Sequence, residues 1–350
     1  MVKTLIPLPL YYTRGIGAAI YGIGVSTLDF GKISPALSKG LADKGDRIMR
    51  FYTARIHDQE EILVGFTQGD RAYRLSLLAR LMPQLAFADM NGLIMGWNGA
   101  IKGALEHLAD NEDVLSAAAV SISEVELCAP IVHPRQDVVC LGINYDAHAQ
   151  EAGRFSGEAF GGERPYTIYF SKRVNRATTT NETVPSYKGL VDSLDYECEL
   201  GVVLGRDCKS VTKEQAGEYV FGYTIINDIS ARNLQTRHKQ WYLGKSLDGF
   251  TPMGPCIVTA DEIGDEQALD ISCTVNGQLR QSSNTKYMIQ TVCGAISELS
   301  QGMTLQAGTI IATGTPAGVG MGMQPPTFLK TGDEIVCQIE KIGILRNVIG

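Results

Sequence analysis

The run Leu194-Asp195-Tyr196-Glu197-Cys198-Glu199-Leu200-Gly201-Val202-Val203-Leu204 sets the reading of the chain. Read as a strand, its side chains alternate: Tyr196, Cys198 and Leu200 face one way, and Asp195, Glu197 and Glu199 the other. Alternate residues of a strand stand about 7 Å apart between Cα atoms, so two or three carboxylates share one face. The strand continues as Gly-Val-Val-Leu, which reads as buried sheet. Carboxylates clustered at a buried end repel one another and lose hydration unless a cation neutralises them. Hard oxygen ligands suit Mg²⁺, Mn²⁺ or Ca²⁺ rather than zinc. A solvated edge strand carries the same Glu-x-Glu pattern, so the run alone leaves both readings open.

Working outward, Phe221–Asn227 is a strongly apolar strand followed by Asp228. An acid at the end of a buried strand is costly without a partner. Glu197, Glu199 and Asp228 together would give three oxygen ligands and leave open positions for water or a chelating substrate. The competing reading makes Asp228 the N-cap of a helix over 229–239. Upstream, the strand Val138–Leu141 leads through a turn into a helix start in which His148 and Glu151 are three apart and share a face. A glutamate that orients a histidine makes the imidazole a better base, although a surface pair has the same spacing. The Gly-rich stretch Gly153–Arg164 suits a lid. Lys245, in Gly244-Lys245-Ser246, reads either as an anion-binding or enolate-stabilising group or as an ordinary surface lysine. The loop Thr313–Gly320 is Gly-rich but lacks the phosphate-loop pattern; its amides and hydroxyls suit a carboxylate.

The rest of the chain bounds the function. Its 350 residues carry a net charge of −7 and contain 38 glycines, well above the usual ~7%. An acidic chain of this kind is not a general nucleic-acid binder or a polybasic membrane anchor. Its apolar runs fall far short of the ~20 residues of a spanning helix. Eight scattered cysteines without a C-x-x-C pair read as free thiols of a reducing cytoplasm. In residues 1–46, Pro7, Pro9 and Arg14 interrupt any signal-like core, which leaves an amino-terminal extension without an assigned role. Residues 47–66 read as two strands around a polar turn and 72–110 as helical. A boundary falls in Ser121–Arg135, after which short strands recur with few helices, the clearest over 213–218 and 288–300. The expectation is a β-rich α+β fold.

The motifs Leu141–Glu151, Tyr196–Glu199, Asn227–Arg232, Gly244–Ser246 and Thr313–Gly320, in this order, resemble the fumarylacetoacetate hydrolase superfamily. The resemblance spans roughly 47–350 and is strongest over 137–349. It implies a small N-terminal α+β domain (47–130) and a catalytic domain (131–350) built as a mixed β-sandwich roll, and leaves the extension 1–46 outside it. It implies Mg²⁺ or Mn²⁺, with Ca²⁺ as a further candidate, on Glu197, Glu199 and Asp228. It implies catalytic roles for His148, Glu151 and Lys245, and substrate contacts from Arg232, Gln235 and Thr315. A homodimer is the implied assembly, and a small 2-oxo or 2,4-dioxo carboxylate the implied substrate. The fumarylacetoacetate hydrolases proper add an upstream Asp ligand with no equivalent here. The three-carboxylate branch therefore fits better: acylpyruvate hydrolases, oxaloacetate decarboxylases and hydroxymuconate-type isomerases. The leading expectation is hydrolytic cleavage of a C–C bond in an acylpyruvate through an enolate, with decarboxylation or isomerisation as the alternative.

Overall fold

Fully apolar strands need partners on both faces, and the chain supplies them. The computed structural model describes residues 48–67, 69–155 and 166–350. The extension 1–46 lies outside the described residues, as do 156–164 of the expected lid. Strands β1 (Arg50–Ile56), β2 (Gln59–Gly65), β3 (Arg71–Arg74), β4 (Ala119–Ser121) and β5 (Glu126–Cys128) come first. They are followed by β6 (Val138–Gly142), β7 (Ile168–Lys172), β8 (Thr183–Val184), β9 (Leu194–Asp195), β10 (Cys198–Leu204), β11 (Val220–Asn227) and β12 (Ser230–Ala231). The last are β13 (Met253–Thr259), β14 (Asp270–Val275), β15 (Gln278–Asn284), β16 (Ile310–Ala312), β17 (Glu334–Ile339) and β18 (Gly343–Ile349).

Among the described residues, an 11-stranded sheet runs β4-β3-β2-β1-β13-β11-β10-β16-β6-β7, with β5 also on β1. A five-stranded sheet runs β15-β14-β17-β18-β8, and β12 pairs with β9 as a short ribbon. Two pairings are parallel, β16 with β6 and β18 with β8, which makes the sheets mixed. Alternation sorts the central strands into two cores. Val202 and Ile225 face the second sheet, where Ile271, Ile335 and Ile339 meet them. Val203 and Ile226 face the other way, toward Leu93, Ile94 and Leu105 of two helices, α1 (Met90–Gly96) and α2 (Gly99–Ala109).

Several sequence expectations are corrected. The helical reading of 72–110 starts too early, because Arg71–Arg74 pairs with β2 and β4 as a strand and the first helical turn begins at Leu75. The strand expected over Leu194–Leu204 is interrupted: Leu194–Asp195 joins the ribbon and the main sheet resumes at Cys198. The helix expected over 288–300 starts at Val292, where the Thr291 side chain caps Gly294. Residues on the two sides of 130/131 share one sheet. β1 hydrogen-bonds to β13, Phe51 stacks on Phe221 at 5.7 Å, and the described residues belong to one compact unit. The expected turn between β1 and β2 is present, with His57 and Asp58 at φ 51° and 61°. No helix among the described residues is long and apolar enough to cross a membrane.

Close approach of β11 to β13 depends on Gly222, where an added Cβ would sit 2.2 Å from the Val258 carbonyl oxygen. That oxygen belongs to the paired backbone and cannot retreat cheaply. Gly222→Ala is expected to lower the urea-unfolding free energy by about 3 kcal/mol, the scale of overpacking a core. A loss below ~0.5 kcal/mol would show that the strands can separate at little cost.

Candidate active site

The antiparallel pairing of β10 with β11 brings the acids together. Cys198 lies opposite Asn227 and Glu199 opposite Ile226, so the end of one strand flanks the start of the other. Side chain and backbone then fix the junction: the Glu197 amide donates to Asn227 Oδ1 (3.0 Å), and the Asp228 amide donates to the Glu197 carbonyl (2.8 Å). Oxygens of Glu197, Glu199 and Asp228 lie within 4.8 Å of one another, and all three residues are buried. Asp228 is not a helix cap; the following helix, Arg232–Arg237, starts after Ala231. Asp195, on the same face in a simple alternation, is drawn elsewhere. It accepts from the amides of Gly320 (2.7 Å) and Met321 (3.0 Å) and from Arg232 Nε (2.9 Å).

Three cations surround the acids. Lys245 Nζ bridges Glu197 (2.8 Å) and Asp228 (2.6 Å). Arg232 Nη2 lies 2.6 Å from Glu197, and Lys172 pairs with Asp228 while donating to the Phe250 carbonyl (2.7 Å). Burial alone would raise the Glu197 carboxyl, but Lys245 and Arg232 outweigh it and hold it well below the usual range. Burial would likewise lower Lys245; Asp228 and Glu197 overcome this and keep it charged. Glu199 goes the other way. Burial, and then the charges of Asp228 and Glu197, push it well above the ordinary carboxylate range. It accepts one hydrogen bond from the Gly314 amide (2.8 Å) and has no ion-pair partner among the described residues. A buried set of hard oxygens in which one carboxylate lacks a counter-charge fits a divalent cation such as Mg²⁺, Mn²⁺ or Ca²⁺.

His148 and Glu151 sit on the helix Asp146–Phe155 with Nδ1 and the carboxylate 3.6 Å apart. His148 is buried and its Nδ1 makes no hydrogen bond. The carboxylate of Glu151 is fixed from the far side by the Gly318 amide, 3.0 and 2.9 Å from its two oxygens. His148, Glu197, Arg232, Gln235, Lys245 and Thr315 line one narrow cleft, whose other wall includes Ile143, Phe170, Trp241 and Met321. Glu199, Asp228 and Glu151 are not among the residues that line this cleft. A larger hollow of about 790 Å³ lies elsewhere; its arginines, Arg55 and Arg176, are already paired with Glu126 and Glu182.

The residues expected to touch substrate are engaged with the protein itself. Arg232 spends its fork on Asp195, Glu197 and Gln235, the last at 3.0 Å. Thr315 Oγ1 donates to the Cys198 carbonyl (2.9 Å). Sequence reasoning missed Lys172, whose signal was a lysine closing the strand Ile168–Lys172. It also missed Gln281, in the polar run Gln278–Asn284, where no apolar period marks a strand.

This β-rich sandwich with an acidic centre at its strand ends defines a class that the comparisons identify. Residues 137–350 match the model described as fumarylacetoacetate (FAA) hydrolase C-terminal. The chain belongs to the fumarylacetoacetate hydrolase family. It is 47% identical over 238 residues to "Oxaloacetate tautomerase YisK" of Bacillus subtilis (strain 168), a match covering 68% of this chain and 77% of that one. Among solved structures, fumarylacetoacetate hydrolase from psychrophilic Exiguobacterium antarcticum superposes with a TM-score of 0.70 at 36% identity, covering 86% and 99% of the two chains. The 2-hydroxyhepta-2,4-diene-1,7-dioate isomerase from Mycobacterium marinum gives 0.62 at 28% identity, covering 86% and 98%.

Mn²⁺ at about a hundredfold excess over its Kd should stabilise the protein by ~2.7 kcal/mol, a rise of roughly 5 °C in Tm. Glu199→Gln should remove that rise while leaving the metal-free Tm unchanged or higher, because it deletes a buried repulsion. A full metal-dependent rise in Glu199→Gln, read by scanning calorimetry, would exclude Glu199 from the ligand set.

Proposed function

We propose that this protein is a divalent-metal-dependent enzyme that interconverts the keto and enol forms of a short 2-oxo dicarboxylate of the oxaloacetate type. The observation that carries the reading is the buried trio Glu197, Glu199 and Asp228, one of which, Glu197, lines a cleft together with His148 and Lys245. The 47% identical oxaloacetate tautomerase supports the choice of reaction. When bound by the trio, Mg²⁺ or Mn²⁺ supplies Lewis-acid stabilisation to the oxygen that gains charge on enolisation. His148 moves the proton. Its Nδ1 lies toward Glu151, which leaves Nε2 to exchange a proton with substrate carbon, and Glu151 steadies the imidazolium that forms. Lys245 adds a fixed positive charge next to the developing enolate. Ile143, Phe170, Trp241 and Met321 keep bulk water from the reacting atoms, which protects an enol. Eight free thiols support a reducing cytoplasm as the compartment, and a homodimer is the assembly carried over from the family resemblance.

The His148–Glu151 pair also favours a second reading, hydrolysis of an acylpyruvate. In it His148 activates a water for attack on the distal carbonyl, and C–C cleavage releases a carboxylic acid and pyruvate. Decarboxylation of oxaloacetate, or isomerisation of a 2-hydroxy-diene-dioate, would use the same enolate.

Product analysis separates the readings. Enol-oxaloacetate should disappear faster with metal-replete protein than with chelated protein, without release of CO₂ and without a new carboxylic acid from acylpyruvates. His148→Asn should reduce the tautomerisation rate about 10²- to 10⁴-fold, the range for loss of a general acid–base. A rate indifferent to chelator would overturn the reading, and acylpyruvate cleavage outpacing tautomerisation would replace it with the hydrolase.

A further inference from the structure

We infer that Gln281 is a positioning residue that sets the geometry of the acidic centre from the opposite sheet. This rests on the reading of Glu197, Glu199 and Asp228 as ligands of a divalent ion. Gln281 sits on β15, at the edge of the five-stranded sheet, and is fully buried. Its amide uses every group it has. Oε1 accepts from the Cys198 amide (3.1 Å), and Nε2 donates to Thr315 Oγ1 (2.7 Å) and to the Pro316 carbonyl (2.8 Å). Thr315 Oγ1 in turn donates to the Cys198 carbonyl (2.9 Å). The result is a closed ring of hydrogen bonds around the one residue that separates Glu197 from Glu199.

Location makes the ring consequential. The main sheet is interrupted between Asp195 and Cys198, so the backbone that carries Glu197 is not fixed by regular strand pairing alone. Side chains do that work: Asn227 holds the Glu197 amide and Gln281 the Cys198 amide. The same strand also presses on the Thr313–Gly320 loop. An added Cβ at Gly318, whose φ is +106°, would lie 1.9 Å from the Arg280 carbonyl oxygen. Gly318 is the residue whose amide holds Glu151. Gln281 therefore couples three parts of the site: the carboxylate-bearing strand, the Thr315 loop and, through that loop, the partner of His148. It touches none of the reacting atoms. Outer partners that orient ligands in this way typically change metal affinity or activity 10- to 100-fold when removed.

The test uses Gln281→Met, which keeps the length of the side chain and deletes all three hydrogen bonds, and Gln281→Glu, which keeps the shape and an acceptor but removes the paired donor. Mn²⁺ affinity is measured by titration calorimetry without substrate, and kcat and KM are then measured on enol-oxaloacetate. Gln281→Met is expected to bind Mn²⁺ at least tenfold more weakly and to lose kcat about 10- to 100-fold with KM changed less than threefold. Leu93→Ala, a core variant on the far face of the sheet, controls for lost stability and should bind Mn²⁺ as the wild type does. If Gln281→Met does not fold, Gln281→Glu carries the test with the same expected loss of Mn²⁺ affinity. Wild-type Mn²⁺ affinity in the folded Gln281 variant, or an equal loss in Leu93→Ala, would reduce Gln281 to packing. A wild-type protein that binds Mn²⁺ but does not tautomerise oxaloacetate would overturn the proposed reaction and leave the Gln281 result standing. One that binds no Mn²⁺ would overturn both.

Discussion

Mutual repulsion of three buried carboxylates is the constraint around which this structure is organised. Antiparallel pairing of β10 with β11 forces Glu197, Glu199 and Asp228 into contact, and burial makes that contact expensive. The compensating charges come from separate parts of the chain: Lys172 closes β7, Arg232 opens the helix after β12, and Lys245 ends the helix Tyr242–Lys245. Each must arrive for the centre to be tolerable, so the acidic trio ties the order of β7, β6, β16, β10 and β11 to one small volume. Glu199 is the residual imbalance. It has a backbone amide for company and two like charges as neighbours, which is an arrangement suited to a divalent cation and poorly suited to an all-protein core.

The rest of the fold holds this centre rigid. The central strands are apolar on both faces, with one core against the second sheet and another against α1 and α2. Neither face is free to relax, and side chains at the strand ends inherit that rigidity. The loop after β16 is pinned at several points: Thr313 to the Leu200 carbonyl, Gly314 to Glu199, Thr315 to the Cys198 carbonyl, and the Gly318 carbonyl to Tyr196 Oη. This Gly-rich segment is thus tightly fixed, and its glycines serve close backbone approach.

Much of this was legible in the sequence, because the strongest signals were costly ones. Glu197 and Glu199 beside a buried run, and Asp228 ending another, announced a charge problem that had to be solved in space. His148 and Glu151 were legible through helical spacing. The ordered motifs led to the family, and the β-rich α+β class followed. What stayed hidden lacked a local period or depended on partners far along the chain. β15 is a polar strand, so Gln281 carried no pattern. Asp195 alternates with Glu197 on paper, but the break at Tyr196 sends it to the amides of Gly320 and Met321. The shared sheet across residue 131 rests on β1 meeting β13, some two hundred positions away, and no window of sequence contains both.

The same geometry bears on which of several enolate reactions the site favours. Each reaction considered for this family passes through a stabilised enolate. They differ in how it arises: by loss of a proton in tautomerisation, by loss of CO₂ in decarboxylation, or by C–C cleavage after water has added to the distal carbonyl in hydrolysis. Glu151 is held by two contacts from one backbone amide, and Gly322 packs on it so closely that a Cβ there would lie 2.7 Å from its carboxyl carbon. A carboxylate so confined steadies His148 without swinging into the cleft to direct a water itself. The apolar wall of Ile143, Phe170, Trp241 and Met321 works in the same sense. Proton return from a fixed imidazolium is the shortest exit available to an enolate in such a cleft, whereas hydrolysis needs room for a water and a second, distal carbonyl. We propose tautomerisation ahead of C–C cleavage on these grounds.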